Sequence, residues 1–181
     1  MNKYRDNGIF ELCPRIKGKS LLYVGISNLQ GNKFASYQNW FYDLFKSKGF
    51  SEFTILEIWQ PNVDFAKKWF KVQNIPMKVV EGDVIRAPAY FKEKEFDVAV
   101  WWHGPEHVRE VEVALHQVER VTKSFIVIGC PNGWRNHGAS QGNPHEVHMS
   151  KVDEEFFKEI GYLTKVIPRP IIGHLTAIKE L

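Results

Sequence analysis

The chain is short of cysteine, of net charge, of long apolar runs and of glycine in the one place where a dinucleotide-binding fold concentrates it, and each shortage excludes something. Its two cysteines, Cys13 and Cys130, stand far apart with no CxxC spacing, so neither a disulfide framework nor a cysteine zinc centre is indicated. A reducing, cytoplasmic setting is the expectation. Lys+Arg 24 against Asp+Glu 21 leaves a formal charge of +3, and the basic residues are dispersed instead of forming the stripe that a phosphate backbone needs. Nucleic acid is therefore an unsupported partner. No stretch reaches the roughly 18 apolar residues that span a bilayer, and MNKYRDNGIFELCPRIKGKS lacks the apolar core of a signal peptide. The expectation is an unprocessed protein with no membrane partner.

What is present is globular: 181 residues, 44% hydrophobic and 14% aromatic, enough for one domain over 1–181. Residues 1–19 read as an N-terminal extension. From Ser20 onward, short Val/Ile-rich runs alternate with segments of helical period, the pattern of a parallel α/β sheet. Strands are expected at Leu21 to Ile26, Phe53 to Trp59, Met77 to Val80, Phe96 to Trp102 and Phe125 to Ile128. Helices are expected through Phe34, Tyr37, Phe41 and Phe45, from Pro61 onward, and from Pro105 to Val121. A polar segment at 131–149 with little periodicity reads as a lid-like loop. Asp153 then caps a helix carrying Phe156 and Phe157, and the runs Leu163 to Ile167 and Leu175 to Ile178 are joined too closely for a crossover helix, so they should pair antiparallel. The fold class expected is α/β: a doubly wound, mostly parallel seven-stranded sheet with a C-terminal antiparallel hairpin. Ligands of such sheets bind at the carboxyl ends of the strands.

The loop after the first strand, Val24-Gly25-Ile26-Ser27-Asn28-Leu29-Gln30-Gly31, has neither the GxGxxG of a nicotinamide dehydrogenase nor a phosphate loop's Gly-Lys-Ser/Thr. Glu57, near the end of the second strand, is placed to grip a ribose diol through a carboxylate that accepts two hydrogen bonds; it reads equally as a solvated strand-end glutamate. Asp83 could accept from an adenine amino group, flanked by Val84 and Ile58, or it could simply serve a turn. Behind the fourth strand, Trp101-Trp102-His103-Gly104-Pro105-Glu106-His107 is the densest reactive cluster. A histidine there can transfer a proton with a carboxylate to orient it, although Pro105-Glu106 also suits a plain helix start. His137, His145 and His148 share the polar segment with Glu146. His103, His107 and Glu106 could join them around a divalent metal, but His145-Glu-Val-His148 is not HExxH and no paired ligands stand on one helix, so solvated or substrate-facing histidines are expected and no metal site is predicted. Trp40, Trp59 and Trp69 read as packing residues.

Taken in order, these stations resemble a small class I S-adenosylmethionine-dependent methyltransferase. Leu21-Leu-Tyr-Val-Gly25 is similar to the family's glycine-loop motif, Leu56-Glu57-Ile58 to its acidic ribose motif, and Glu81-Gly-Asp83-Val84 to its adenine motif. The run Phe96 to Val108 resembles the motif beside the methyl donor, including the Glu-His pair, and Ala114 to Gly133 resembles the helix and fifth strand that end in a Pro-Asn turn. The resemblance implies S-adenosylmethionine as cofactor, held by Gly25, Ser27, Glu57, Ile58, Asp83, Val84 and Trp102. On that resemblance His103 or His107 would act as base with Glu106 as orienter, under the 131–149 segment as cover, and the polar composition of that segment suits a small polar methyl acceptor. Tyr23 replaces the family's usual acidic residue, and Ser27 and Leu29 stand where glycines are usual. Those departures define the alternative, a methyltransferase-like binding or regulatory protein that has lost catalysis.

Overall fold

The computed structural model describes residues 3–26, 41–140, 142–169, 171 and 173–181. Helix α1 (Lys3–Leu12) precedes strand β1 (Ser20–Val24), and residues 41–46 are helical. Strand β2 (Glu52–Glu57), helix α2 (Gln60–Val72) and strand β3 (Met77–Glu81) follow, then the short helix α3 (Ala87–Tyr90) and strand β4 (Phe96–Trp102). Helix α4 (Val111–Val121), strand β5 (Thr122–Pro131), helix α5 (Glu154–Glu159), and strands β6 (Leu163–Ile167) and β7 (His174–Glu180) complete the order.

The seven strands form one sheet in the order β3-β2-β1-β4-β5-β7-β6. The five strands β1 to β5 are parallel, and β7 enters antiparallel between β5 and β6. The expected sheet and hairpin are thus the ones observed. Strand order reverses at β1, with β2 on one side and β4 on the other, which places the switch point at the Gly25 turn and the end of β4. Strand pleating sends alternate residues to opposite faces, so two apolar cores form. One holds Leu21, Tyr23, Phe45, Phe70 and Trp102; the other holds Leu22, Val24, Trp101, Leu115 and Phe157.

Three elements differ from the sequence expectation. Residues 3–12 form a helix packed on β6 and β7, burying Ile9, where only an extension was expected. Strand β5 runs on to Pro131, because Cys130 and Pro131 pair with Leu175 and His174. Helix α4 starts at Val111 instead of Pro105: residues 105–107 make a single 3-10 turn, and the Glu106 carbonyl, which a continuous helix would use internally, accepts Met149 N–H and Ser150 N–H instead (2.8 and 3.1 Å). Asp153 does cap α5, its carboxylate accepting Phe156 N–H at 3.0 Å. Among the described residues, no helix is long and apolar enough to cross a membrane.

Candidate active site

At the switch point the strand ends surround a cleft of about 350 Å³, within the range of roughly 300–1,000 Å³ usual for ligand sites. Gly25 and Ile26 leave β1, Glu57 and Ile58 leave β2, Asp83 and Val84 follow β3, and Trp101, His103 and His107 come from the end of β4 and its turn. Asn143, His145, Glu146 and Met149 of the polar segment line one side.

The first turn is built on backbone geometry. Gly25 has φ +73°, a conformation that side chains resist, and its N–H donates to the Leu56 carbonyl at 2.7 Å. Among the described residues, a Cβ there would meet nothing within 4 Å. That open space belongs to the cleft, where a ligand can approach the backbone. Glu57 fastens the turn: Ile26 N–H donates to its Oε2 at 2.6 Å and Trp59 N–H to its Oε1 at 2.8 Å. Asn62 Nδ2 donates to the Ile26 carbonyl at 3.2 Å. The side chain read from sequence as a ribose ligand or a solvated strand-end glutamate is thus buried and organises the protein's own turn.

Burial, resisted by the two backbone hydrogen bonds, raises the Glu57 carboxyl from 4.5 to about 7. The folded state thus holds a proton that the unfolded chain releases near 4.5, so this group's contribution to stability is complete below pH 4.5 and is lost as pH rises to 7. The difference is about 3 kcal/mol. In urea titrations, wild type measured against Glu57→Gln should show this decline between pH 5 and 7.5; parallel curves would refute it.

Asp83 accepts Ile85 N–H at 3.0 Å through Oδ1, capping the 3-10 turn Val84–Arg86. It lines the cleft together with the apolar side chains of Ile58 and Val84. Trp102, expected at the cofactor, instead lies on the opposite face of the sheet against Phe41 and His174, while Trp101 lines the cleft. Strand alternation is the reason. Tyr23 likewise packs away from the cleft, edge-on to Phe41 at 5.0 Å, so its bulk takes no ligand space. Ser27, Leu29, Gly31 and Trp40 lie outside the described residues.

After β4 the chain turns sharply. His103 has φ +53°, rare for a side-chain-bearing residue, and is held by its N–H to the Gly129 carbonyl at 2.6 Å. Gly104 follows with no room for a side chain, since a Cβ would stand 1.8 Å from Trp101 Nε1. His103 Nδ1 faces Glu106 Oε1 at 3.4 Å, and Glu106 is 2% exposed. Burial opposes ionisation of Glu106, but the hydrogen bond and charge of His103, with the charge of His107, outweigh it and hold the carboxyl below its ordinary range. Burial lowers His107 and His148. His107 Nδ1 meets the Val147 carbonyl at 3.2 Å.

His103, Glu106 and His107 are thus brought together, as the sequence cluster suggested. Two participants escaped sequence reasoning: Trp101, and the Met149–Ser150 attachment to Glu106, which has no local motif.

A family model described as "Methyltransferase domain" matches residues 35–125, half of the chain. The chain belongs to that family and is an enzyme of the methyltransferase class. No curated protein sequence matches it. Among solved structures it is similar to a SAM-dependent methyltransferase from Aquifex aeolicus, with TM-score 0.61 and 10% identity over 98% of this chain and 93% of that one. One from Archaeoglobus fulgidus gives TM-score 0.62 and 16% identity over 100% and 95% of the two chains. The N-terminal domain of EvdMO1, a structure with SAH bound, gives 0.65 and 15% over 98% and 79%. At such identities the likeness concerns the fold, which agrees with the sheet order described above.

Proposed function

We propose that the chain transfers the methyl group of S-adenosylmethionine to a small polar acceptor. One observation carries this reading: the cleft at the switch point brings a carboxylate from β2, an aspartate with apolar flanks after β3 and an open glycine turn after β1 to one nucleoside-sized space. Glu57 would accept from the ribose hydroxyls and Asp83 from the adenine amino group, with Ile58 and Val84 on the ring faces. The methionine end would lie towards Gly25 and Ile26. The cofactor supplies an electrophilic methyl on a sulfonium, and the protein's part is mainly to align the acceptor with it.

The acceptor end is bounded by His103, His107, His145 and Glu146. With Nδ1 turned to Glu106, His103 keeps Nε2 as the basic nitrogen for an acceptor proton, and Glu106 steadies the imidazolium that forms. The polar side chains at this end of the cleft suit a small polar acceptor beside the donor. S-adenosylhomocysteine at 100-fold over its Kd should raise Tm by about 5–10 °C. An unchanged Tm would overturn the reading and favour the non-catalytic alternative of the same fold.

A further inference from the structure

Beside the cleft, the chain gathers donors that the methyl-transfer reading leaves only partly used. Glu106, His107 and His148 place one ligand atom each within 4.8 Å of one another. Glu106 is 2% exposed, and although Oε1 serves His103, its buried Oε2 has no hydrogen-bond partner among the described residues. A buried, unpartnered carboxylate oxygen is costly, and a cation or a hydrogen-bond donor would relieve that cost.

The two imidazoles are set to supply lone pairs. His107 Nδ1 lies 3.2 Å from the Val147 carbonyl and His148 Nδ1 lies 2.6 Å from the Arg135 carbonyl. A carbonyl only accepts, so each Nδ1 carries the proton and each Nε2 carries the lone pair. That backbone hydrogen bond is the usual orienting contact of a metal-bound histidine. His148 is brought to the other two by the chain itself, because Met149 and Ser150 donate their N–H groups to the Glu106 carbonyl. His137 stacks on His148 with centroids 5.1 Å apart, adding a further imidazole to the cluster.

We propose that Glu106, His107 and His148 bind one divalent transition-metal cation of the zinc class at the acceptor end of the cleft. Two nitrogens and one oxygen suit zinc and its first-row neighbours better than magnesium or calcium, which prefer all-oxygen shells. Ligand bonds of about 2.0–2.1 Å in tetrahedral geometry set donors roughly 3.4 Å apart, so the three side chains must draw closer to share one ion. Half-buried His148, on a loop, has the freedom to do so. Three protein ligands leave a position open, and His107 belongs to the cleft wall. There the cation would take an acceptor oxygen and ease loss of its proton to His103. That role rests on the methyl-transfer reading; binding of the cation does not.

The test is titration of chelator-stripped full-length protein with Zn²⁺ against a chromophoric competitor, with Co²⁺ absorption spectra in parallel. One equivalent per chain is expected. His148→Ala, whose imidazole is outside the core, should keep the stripped protein's Tm and weaken binding by at least about 100-fold, more than loss of an outer-shell partner does. His107→Ala should behave alike, and Co²⁺ should lose its ligand-field bands in both. Less than one equivalent in wild type, or equal affinity in His148→Ala, would overturn the proposal. S-adenosylhomocysteine binding is measured separately on the same protein. Zinc bound without it would support the metal site while removing its assigned role in methyl transfer.

Discussion

Glu57→Ala is expected to erase the rise in Tm that S-adenosylhomocysteine gives, and to lower stability by about 2–4 kcal/mol without ligand. The stability loss follows from the protein's own bonds. Removing the carboxylate deprives Ile26 N–H and Trp59 N–H of their acceptors at the edge of a buried turn, leaving the β1 turn tied to the end of β2 by the Gly25 N–H to Leu56 carbonyl bond. The ligand effect follows from the proposed ribose contact and from displacement of Gly25 and Ile26, which line the same cleft. Calorimetry with the nucleoside ligand, alongside urea denaturation, separates the two. A variant that is destabilised yet binds with wild-type affinity would show that Glu57 is structural only.

Gly104→Ala is expected to be comparably severe, costing about 1–3 kcal/mol or more and narrowing the cleft. The new methyl group would collide with the Trp101 indole, which is 2% exposed and packed beneath the end of β4. With the sheet core filled behind it, the indole's way out is towards the ligand space that it lines. Thermal denaturation and ligand affinity should therefore decline together in this variant. Unchanged affinity would mean that the indole yields in another direction.

The sheet was legible in the sequence because its signal is long-ranged and repeated: five apolar runs, each followed by turn chemistry and most by helical period, leave few alternatives to parallel winding. Strands β4 and β6 begin and end where the apolar runs do. The site was legible to the level of which strand ends matter. Finer assignments failed where sequence carries no phase information. Trp101 and Trp102 are chemically identical neighbours, and only the sheet register decides which one faces ligand. The start of α4 depended on the Glu106 carbonyl being taken by Met149 and Ser150, more than forty positions away, and the approach of His148 to Glu106 depended on that same contact. Helix α1 was missed because KYRDNGIFEL contains a glycine and shows no sustained apolar stripe.

The alternation along β4 has a wider implication. Trp101 pairs with Ile128 and Trp102 with Gly129, and slippage of that ladder by one residue would send the ligand-facing indole into the rear core and bring the other forward. What the cleft presents to a visitor is thus inherited from backbone pairing several ångströms behind it. Its chemistry can drift through loop substitutions, while the orientation of its walls stays fixed by the scaffold.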